Sequence, residues 1–329
     1  MTADLLVCPG CRTSSHEASE NQIHVRTLDR AGDMMVCECG RRYPIVDELP
    51  IIMADSSAFI RNELPAILER EMAPSLAQLL VEDMPDNAPY ARLLEHLSIY
   101  LDAHWGDRAA PPSDGPGAGF ASQGLADRIA ERARVRVGAA VELGCSAGRM
   151  LAELADGAER VVGLDLHFGI LRRARKLLAG ETLAFNRRVA GRQYALATLT
   201  GRRAQNVSLV CGDALDPPFV PCSFDRVVAL NVLDTVRSPK QLLLVASGLC
   251  KRGGEIILSS PYNWTTDVVE EHERFGGHNP AAALVAMLRD GELGVRYEIE
   301  DEAELPWTLR RDARSAVTYC IHYVRGRKL

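Results

Sequence analysis

The spacing of apolar residues divides the chain into three stretches. In the first, Leu5 to Cys8, Gln22 to Leu28 and Asp33 to Cys37 predict short strands around a polar loop carrying Ser14, Ser15 and Asn21. No helical period appears there. From Ser56 to Trp105, apolar residues recur at intervals of three and four in AFIRNELPAILEREM, LAQLLVEDM and YARLLEHLSIYLDAHW, the period of amphipathic helices. Pro65, Pro74, Pro85 and Pro89 cut this stretch into short helices, because proline lacks the amide hydrogen a helix interior needs. Asp107 to Gly119, DRAAPPSDGPGAG, is a linker by composition.

From Leu125 onward helix and strand alternate. A helix through Arg134 is followed by a strand at Ala139 to Leu143, a helix from Gly148 and a strand at Arg160 to Asp165. Gly169 to Leu178 then reads as helix, Val207 to Cys211 and Arg226 to Leu230 as strands, Pro239 to Leu249 as helix and Glu255 to Ser259 as strand. Such alternation predicts an α/β fold with a doubly wound, mostly parallel sheet. The tail departs from it: Val295 to Glu300 and Ala316 to Val324 have no helix between them and predict a hairpin with an antiparallel strand. The expected organisation is a small ribbon over 1–55, a helical bridge and linker over 56–124, and the α/β domain over 125–329.

With 329 residues, 47% of them hydrophobic and 25% charged, the chain has the balance of an ordinary globular protein. Its longest apolar stretches, such as Leu242 to Val245, fall far short of the ~20 residues a membrane span requires. The start, MTADLLVCPGC, lacks a basic region followed by a hydrophobic one. A cytoplasmic protein without a membrane partner is expected. Cys145, Cys211, Cys222, Cys250 and Cys320 are scattered singly, as small buried hydrophobes are. A net charge of −6 argues against broad nucleic-acid binding.

The chemistry concentrates at four strand ends. VELGCSAGRM places Gly144 and Gly148 at a strand-to-helix turn, where missing side chains let backbone approach a ligand. The spacing E-x-G-x-x-x-G lacks both the dinucleotide fingerprint and a phosphate loop, which favours a ligand without pyrophosphate over a dehydrogenase cofactor. The next strand, VVGLD, ends in Asp165, whose carboxylate can accept two ribose hydroxyls. Another ends in Gly212-Asp213-Ala214, suited to an adenine amino group and its ring; the fourth delivers Leu230 and Asn231 to the same edge. ELGCSAGR, GLDLHFGILRRAR, VCGDALDPPFVPCSFDRVVALNVLD and KRGGEIILSSP, in that order, resemble the motifs of class I S-adenosylmethionine-dependent methyltransferases over Ala139 to Pro261. The resemblance implies a Rossmann-like domain in which Glu142, Gly144, Ser146 and Gly148 surround the methionine portion. It also implies that Asp165 and Leu166 hold the ribose and that Asp213 and Ala214 face the adenine. Cys145 departs from the pattern, standing where glycine is frequent.

Cys8-Pro-Gly-Cys11 and Cys37-Glu-Cys39-Gly40 offer two thiolate pairs able to close a tetrahedral structural zinc site. The run CGRRYPIVDELPIIM resembles the small ribbon domain that activates methyltransferases and is sometimes fused to them. Methyl transfer from a sulfonium needs alignment first and a base only for a protonated nucleophile. Acceptor-side candidates are His167, Phe168, Asn231, Asp234, Tyr262, Asn263 and Trp264, with Glu271, His272, Phe275 and His278 as a lid. SPYNW and the acidic stretch after it resemble methyltransferases acting on small amines or imidazoles, which makes Tyr262 and His272 the candidate catalytic residues for a small-molecule acceptor. Arg172 to Arg203 holds nine basic residues against Glu181 alone. That run supports two readings, a solvated face plus an insertion or phosphate recognition by an RNA methyltransferase. A non-catalytic relative that binds S-adenosylmethionine and uses its ribbon as a scaffold is the rival from another class.

Overall fold

The structure is a computed structural model, which describes residues 3–14, 25–69, 72–82, 84–85, 88–118 and 123–329. The loop around Ser15 and Asn21 and the start of the Gln22 to Leu28 segment lie outside the described residues.

After a short helix α1 (Pro9–Ser14), the N-terminal segment forms a four-stranded antiparallel sheet of β1 (Asp29–Ala31), β2 (Met34–Val36), β3 (Arg42–Val46) and β4 (Leu49–Pro50). Leu5 to Cys8 is not a full strand: Leu6 and Val7 make only isolated bridges to Phe219 and Thr27. The bridge comprises α2 (Ser56–Asn62), α3 (Leu64–Leu68), α4 (Pro74–Glu82) and α5 (Pro89–Trp105). Its prolines open helices: Pro65 and Pro89 occupy first-turn positions, where the missing amide hydrogen has no intrahelical partner to lose. A two-residue strand, β5 (Ala109–Ala110), interrupts the linker.

The α/β domain then runs α6 (Gln123–Ala133), β6 (Val137–Leu143), α7 (Arg149–Leu154), β7 (Ala158–Asp165) and α8 (Phe168–Leu178). It continues β8 (Thr182–Ala190), β9 (Gln193–Thr200), β10 (Val207–Cys211), β11 (Phe224–Leu230), α9 (Pro239–Leu249) and β12 (Cys250–Ser260). Last come α10 (Pro280–Asp290), β13 (Tyr297–Arg310) and β14 (Ala316–Lys328). The main sheet has the order β10-β7-β6-β11-β12-β14-β13, and β14 is antiparallel to both neighbours. The central strands are continuous apolar runs because both their faces are covered. Strand order reverses between β6 and β11, opening a crevice at the carboxyl edge where ligands of such sheets bind.

Helices α5 to α8 pack on one face of the sheet; α9, α10 and the ribbon pack on the other. No helix lies in the crossover between β10 and β11, residues 212–223. An uncovered apolar sheet face is unfavourable at roughly 25 cal/mol per Å², and here the ribbon covers it. Leu6, Leu28, Met35 and Tyr43 share one buried cluster with Phe219, Phe224 and Val210. Backbone bonds Val7 N to Pro218 O, Val220 N to Leu5 O and Ile52 N to Cys211 O stitch the two together at 2.9, 3.0 and 2.9 Å. The ribbon thus substitutes for a layer of the α/β domain.

Candidate functional site

A cavity of about 270 Å³ opens at the crevice. The turn after β6 holds Gly144 and Gly148 at φ +78° and +77°, where a side chain is strained. A Cβ on Gly144 would lie 2.3 Å from Val232 Cγ2, so nothing larger fits beneath the loop. Glu142, Gly144 and Ser146 line the cavity from this side, whereas Gly148 starts α7 and is not among the lining residues. Asp165 ends β7 with both oxygens aimed by backbone: Oδ2 accepts from Ser146 N at 2.8 Å, Oδ1 from His167 N at 2.9 Å. Beside it Leu166 lines the cavity and is 46% exposed, an apolar side chain facing open space. Asp213 and Ala214 follow from β10, and Asp213 Oδ1 accepts from Leu215 N at 2.8 Å. Asn231, at φ +55°, reaches the cavity from β11 while its Oδ1 accepts from Ser259 Oγ at 2.9 Å.

Sequence reasoning missed the opposite wall. His96, Tyr100 and His104, on successive turns of α5, close the cavity together with Trp307 of β13. Their i, i+4, i+8 spacing was the available signal. His96 packs against His167 with the rings tilted by 46° at a centroid distance of 4.8 Å. Burial, and then the neighbouring His167, push His96 down to about 3; burial and Arg149 push His104 down to about 4, so both imidazoles are neutral at pH 7. Burial, reinforced by Asp165, pushes the Glu142 carboxyl well up. Glu142 Oε2, Ser146 Oγ, His96 Nε2 and His104 Nδ1 are buried with no hydrogen-bond partner among the described residues. Buried polar atoms are rarely left so in a finished site; a ligand with an ammonium, a carboxylate and hydroxyls fits them.

Other sequence candidates lie elsewhere. His272 sits in a 3-10 turn, 72% exposed between Glu270 and Glu273, and is not a cavity residue. Glu273 accepts from Ser238 Oγ at 2.7 Å, which pins this segment to the start of α9 on the outer surface. His272, expected as a catalytic residue, thus stands outside the cavity. Tyr262 is also not a lining residue: its hydroxyl meets His322 Nδ1 at 2.8 Å, and its ring packs against Trp264 and Phe275. Asp234 is buried and committed to Ser260 Oγ and Asn263 N, and that burial raises its pKa. His167 does line the cavity.

Six residues of the basic run are bonded within the protein. Arg172 bonds to Asp47 and to the carbonyls of Ile67 and Glu69; Arg173 pairs with the Glu69 carboxylate. Arg187 pairs with Asp102, Arg188 with Glu95, and Arg202 with Glu153 and Asp156, while Arg192 donates to backbone at Val81, Glu82 and Met84. Half of these partners lie in α3, α4 and α5, with Glu69 and Met84 just beyond α3 and α4, so the run fastens the bridge onto α8 and the β8–β9 hairpin.

The four ribbon cysteines bring their sulfurs within 4.8 Å of one another. Cys8 to Cys39 is 3.8 Å and Cys11 to Cys37 is 3.7 Å. Sulfurs about 2.3 Å from a central zinc stand about 3.8 Å apart at the corners of a tetrahedron, so the cluster is compatible with zinc despite the tight Cys-x-Cys spacing.

Fold and site define a nucleotide-ligand domain of the doubly wound class. Residues 141–258 match the family model described as a methyltransferase domain, so this part of the chain is a methyltransferase domain. No curated protein matches the chain in sequence. Among solved structures, the chain is similar to the YcgJ protein of Bacillus subtilis at 12% identity and TM-score 0.41, over 63% of this chain and 98% of that one. It is similar to N-methyltransferase NodS of Bradyrhizobium japonicum, solved with S-adenosyl-L-homocysteine, at 15% and 0.42 over 65% and 89%. A third is tRNA (m1A58) methyltransferase TrmI of Aquifex aeolicus, at 16% and 0.37 over 62% and 68%. At such values, what those proteins act on says nothing about this one.

Proposed function

We propose that this chain methylates a small-molecule acceptor, at an amine or imidazole nitrogen, using S-adenosylmethionine bound in the crevice cavity. The observation that carries the reading is the convergence of four strand ends on one cavity whose Glu142 Oε2 and Ser146 Oγ have no partner among the described residues. Asp165 would hold the ribose hydroxyls, Asp213 the adenine amino group and Glu142 the ammonium of the methionine portion. Bound there, the cofactor supplies an electrophilic methyl group.

The protein's own contribution is enclosure and proton handling. Tyr100 and Trp307 wall the cavity against water, and the neutral imidazole of His96 offers a lone pair to an acceptor that arrives with a proton on its nitrogen. A small acceptor is favoured over RNA because most arginines that would track phosphates are already bound to carboxylates and carbonyls of this chain. Calorimetric titration with S-adenosylhomocysteine, in parallel with Asp165→Ala, tests the site; transfer of labelled methyl to pooled amines, imidazoles and RNA tests the acceptor. Saturable binding weakened in the variant, followed by label on a small amine or imidazole, is expected. Label on RNA alone would refute the acceptor class, and no transfer despite binding would favour the scaffold reading.

A further inference from the structure

The helix that ends the bridge is locked onto the glycine turn. Trp105 Nε1 donates to Ala147 O at 2.9 Å, and the Arg149 guanidinium lies 5.2 Å over the Trp105 ring while pairing with Asp107 at 2.8 Å just beyond the helix. His104, the residue before Trp105, lines the cofactor cavity beside a turn that contributes Ser146. Four residues lining one cavity therefore carry a buried atom without a partner among the described residues: a carboxylate oxygen on Glu142, a hydroxyl on Ser146 and ring nitrogens on His96 and His104, of which His104 adjoins the glycine turn through Trp105. A carboxylate suits an ammonium, whereas a hydroxyl and an imidazole N–H suit a carboxylate. Arg149, the cation that bears on His104, is already paired with Asp107 and Glu153. The pattern is that of a receptor for a zwitterionic amino-acid group.

We propose that His104 donates its Nδ1–H to the carboxylate of the cofactor's methionine portion, so that the bridge helix, which precedes the methyltransferase domain, completes the cofactor site. This rests on the cofactor reading above. It makes α5 a wall of the binding site and gives the arginine ties of Arg187 and Arg188 to α5 a purpose, since they set where His104 stands.

Three ligands that differ only at the amino-acid end separate the roles when titrated into the full chain. They are S-adenosylhomocysteine, its decarboxylated analogue, which keeps the amine, and 5′-methylthioadenosine, which lacks both groups. Wild type is expected to prefer the first over the second by about tenfold or more, the scale of a hydrogen bond to a charged group. His104→Ala should lose that preference while binding methylthioadenosine as wild type does, which also reports that the variant is folded. His104→Asn, which keeps a donor, should regain part of the preference and stands in if the alanine variant does not fold. Retention of the full preference in both variants, or an equal loss for all three ligands, would overturn the proposal. A wild type that binds none of the three would overturn the cofactor reading along with it.

Discussion

Glu142→Gln separates what the site does for the ligand from what it does to the fold. The carboxyl is 2% exposed, one of its oxygens has no partner, and burial with Asp165 nearby raises its pKa well above the usual value. A carboxyl with a raised folded-state pKa keeps a proton that the unfolded chain has released. Its favourable contribution is complete below the unfolded value of about 4.3 and is lost as pH rises toward the folded value. In that window each pH unit removes about 1.4 kcal/mol from wild type and nothing from the neutral glutamine. The ligand-free variant should therefore be more stable than wild type at pH 7 and nearly equal at pH 4. It should also bind S-adenosylhomocysteine more weakly by about 2 kcal/mol or more, about thirtyfold, for want of the ammonium's partner. Urea denaturation at pH 4, 5, 6 and 7, with and without ligand, reads both effects, and the difference between the two proteins isolates Glu142 from every other titrating group. An identical pH slope in both proteins, or undiminished binding by the variant, would refute the reasoning.

Two further outcomes are expected. Asp102→Ala leaves Arg187 and Arg310, both buried, without the carboxylate they share at 3.0 and 3.6 Å; a loss of about 3–5 kcal/mol in urea denaturation is expected, and ligand affinity should fall with it because α5 loses its anchor. Because the ribbon covers a face of the main sheet, a chelator that removes zinc should lower the melting temperature of the whole chain as a single transition, and Cys8→Ser should do the same with about one equivalent less metal by elemental analysis; an unchanged melt would show that the cysteine cluster does not support the sheet.

The half of the site carried by strand ends was legible because each piece is local. Strand, turn and ligand-facing side chain occupy about ten consecutive residues in VELGCSAGRM and fewer in VVGLD, so pattern and chemistry can be read together. The tail hairpin was legible as well, although β13 extends to Arg310 and so delivers Trp307 to the cavity. Local signals went unread in two places. Asn279 as N-cap, Pro280 in the first turn and Gly291 in left-handed conformation announce α10, and alternation with Gly191 at its centre announces the β8–β9 hairpin, inside a stretch whose charge drew attention away from its period.

The opposite wall illustrates a different limit. His96, Tyr100 and His104 form a face of α5 that sequence periodicity cannot orient, since an amphipathic helix shows its own stripe and not what lies against it. The orienting information sits about ninety residues away, in Arg187 and Arg188, whose partners Asp102 and Glu95 are on the same helix. Read as composition, those arginines suggest phosphate; paired, they are half of a docking code whose complement is spread over α3 to α5. The bridge thus lines the crevice cavity as β6 does, and on the proposed cofactor reading a fragment beginning at residue 125 should fold poorly and bind S-adenosylhomocysteine far more weakly than the full chain. A fragment with full affinity would show that α5 only covers a site the strands complete alone.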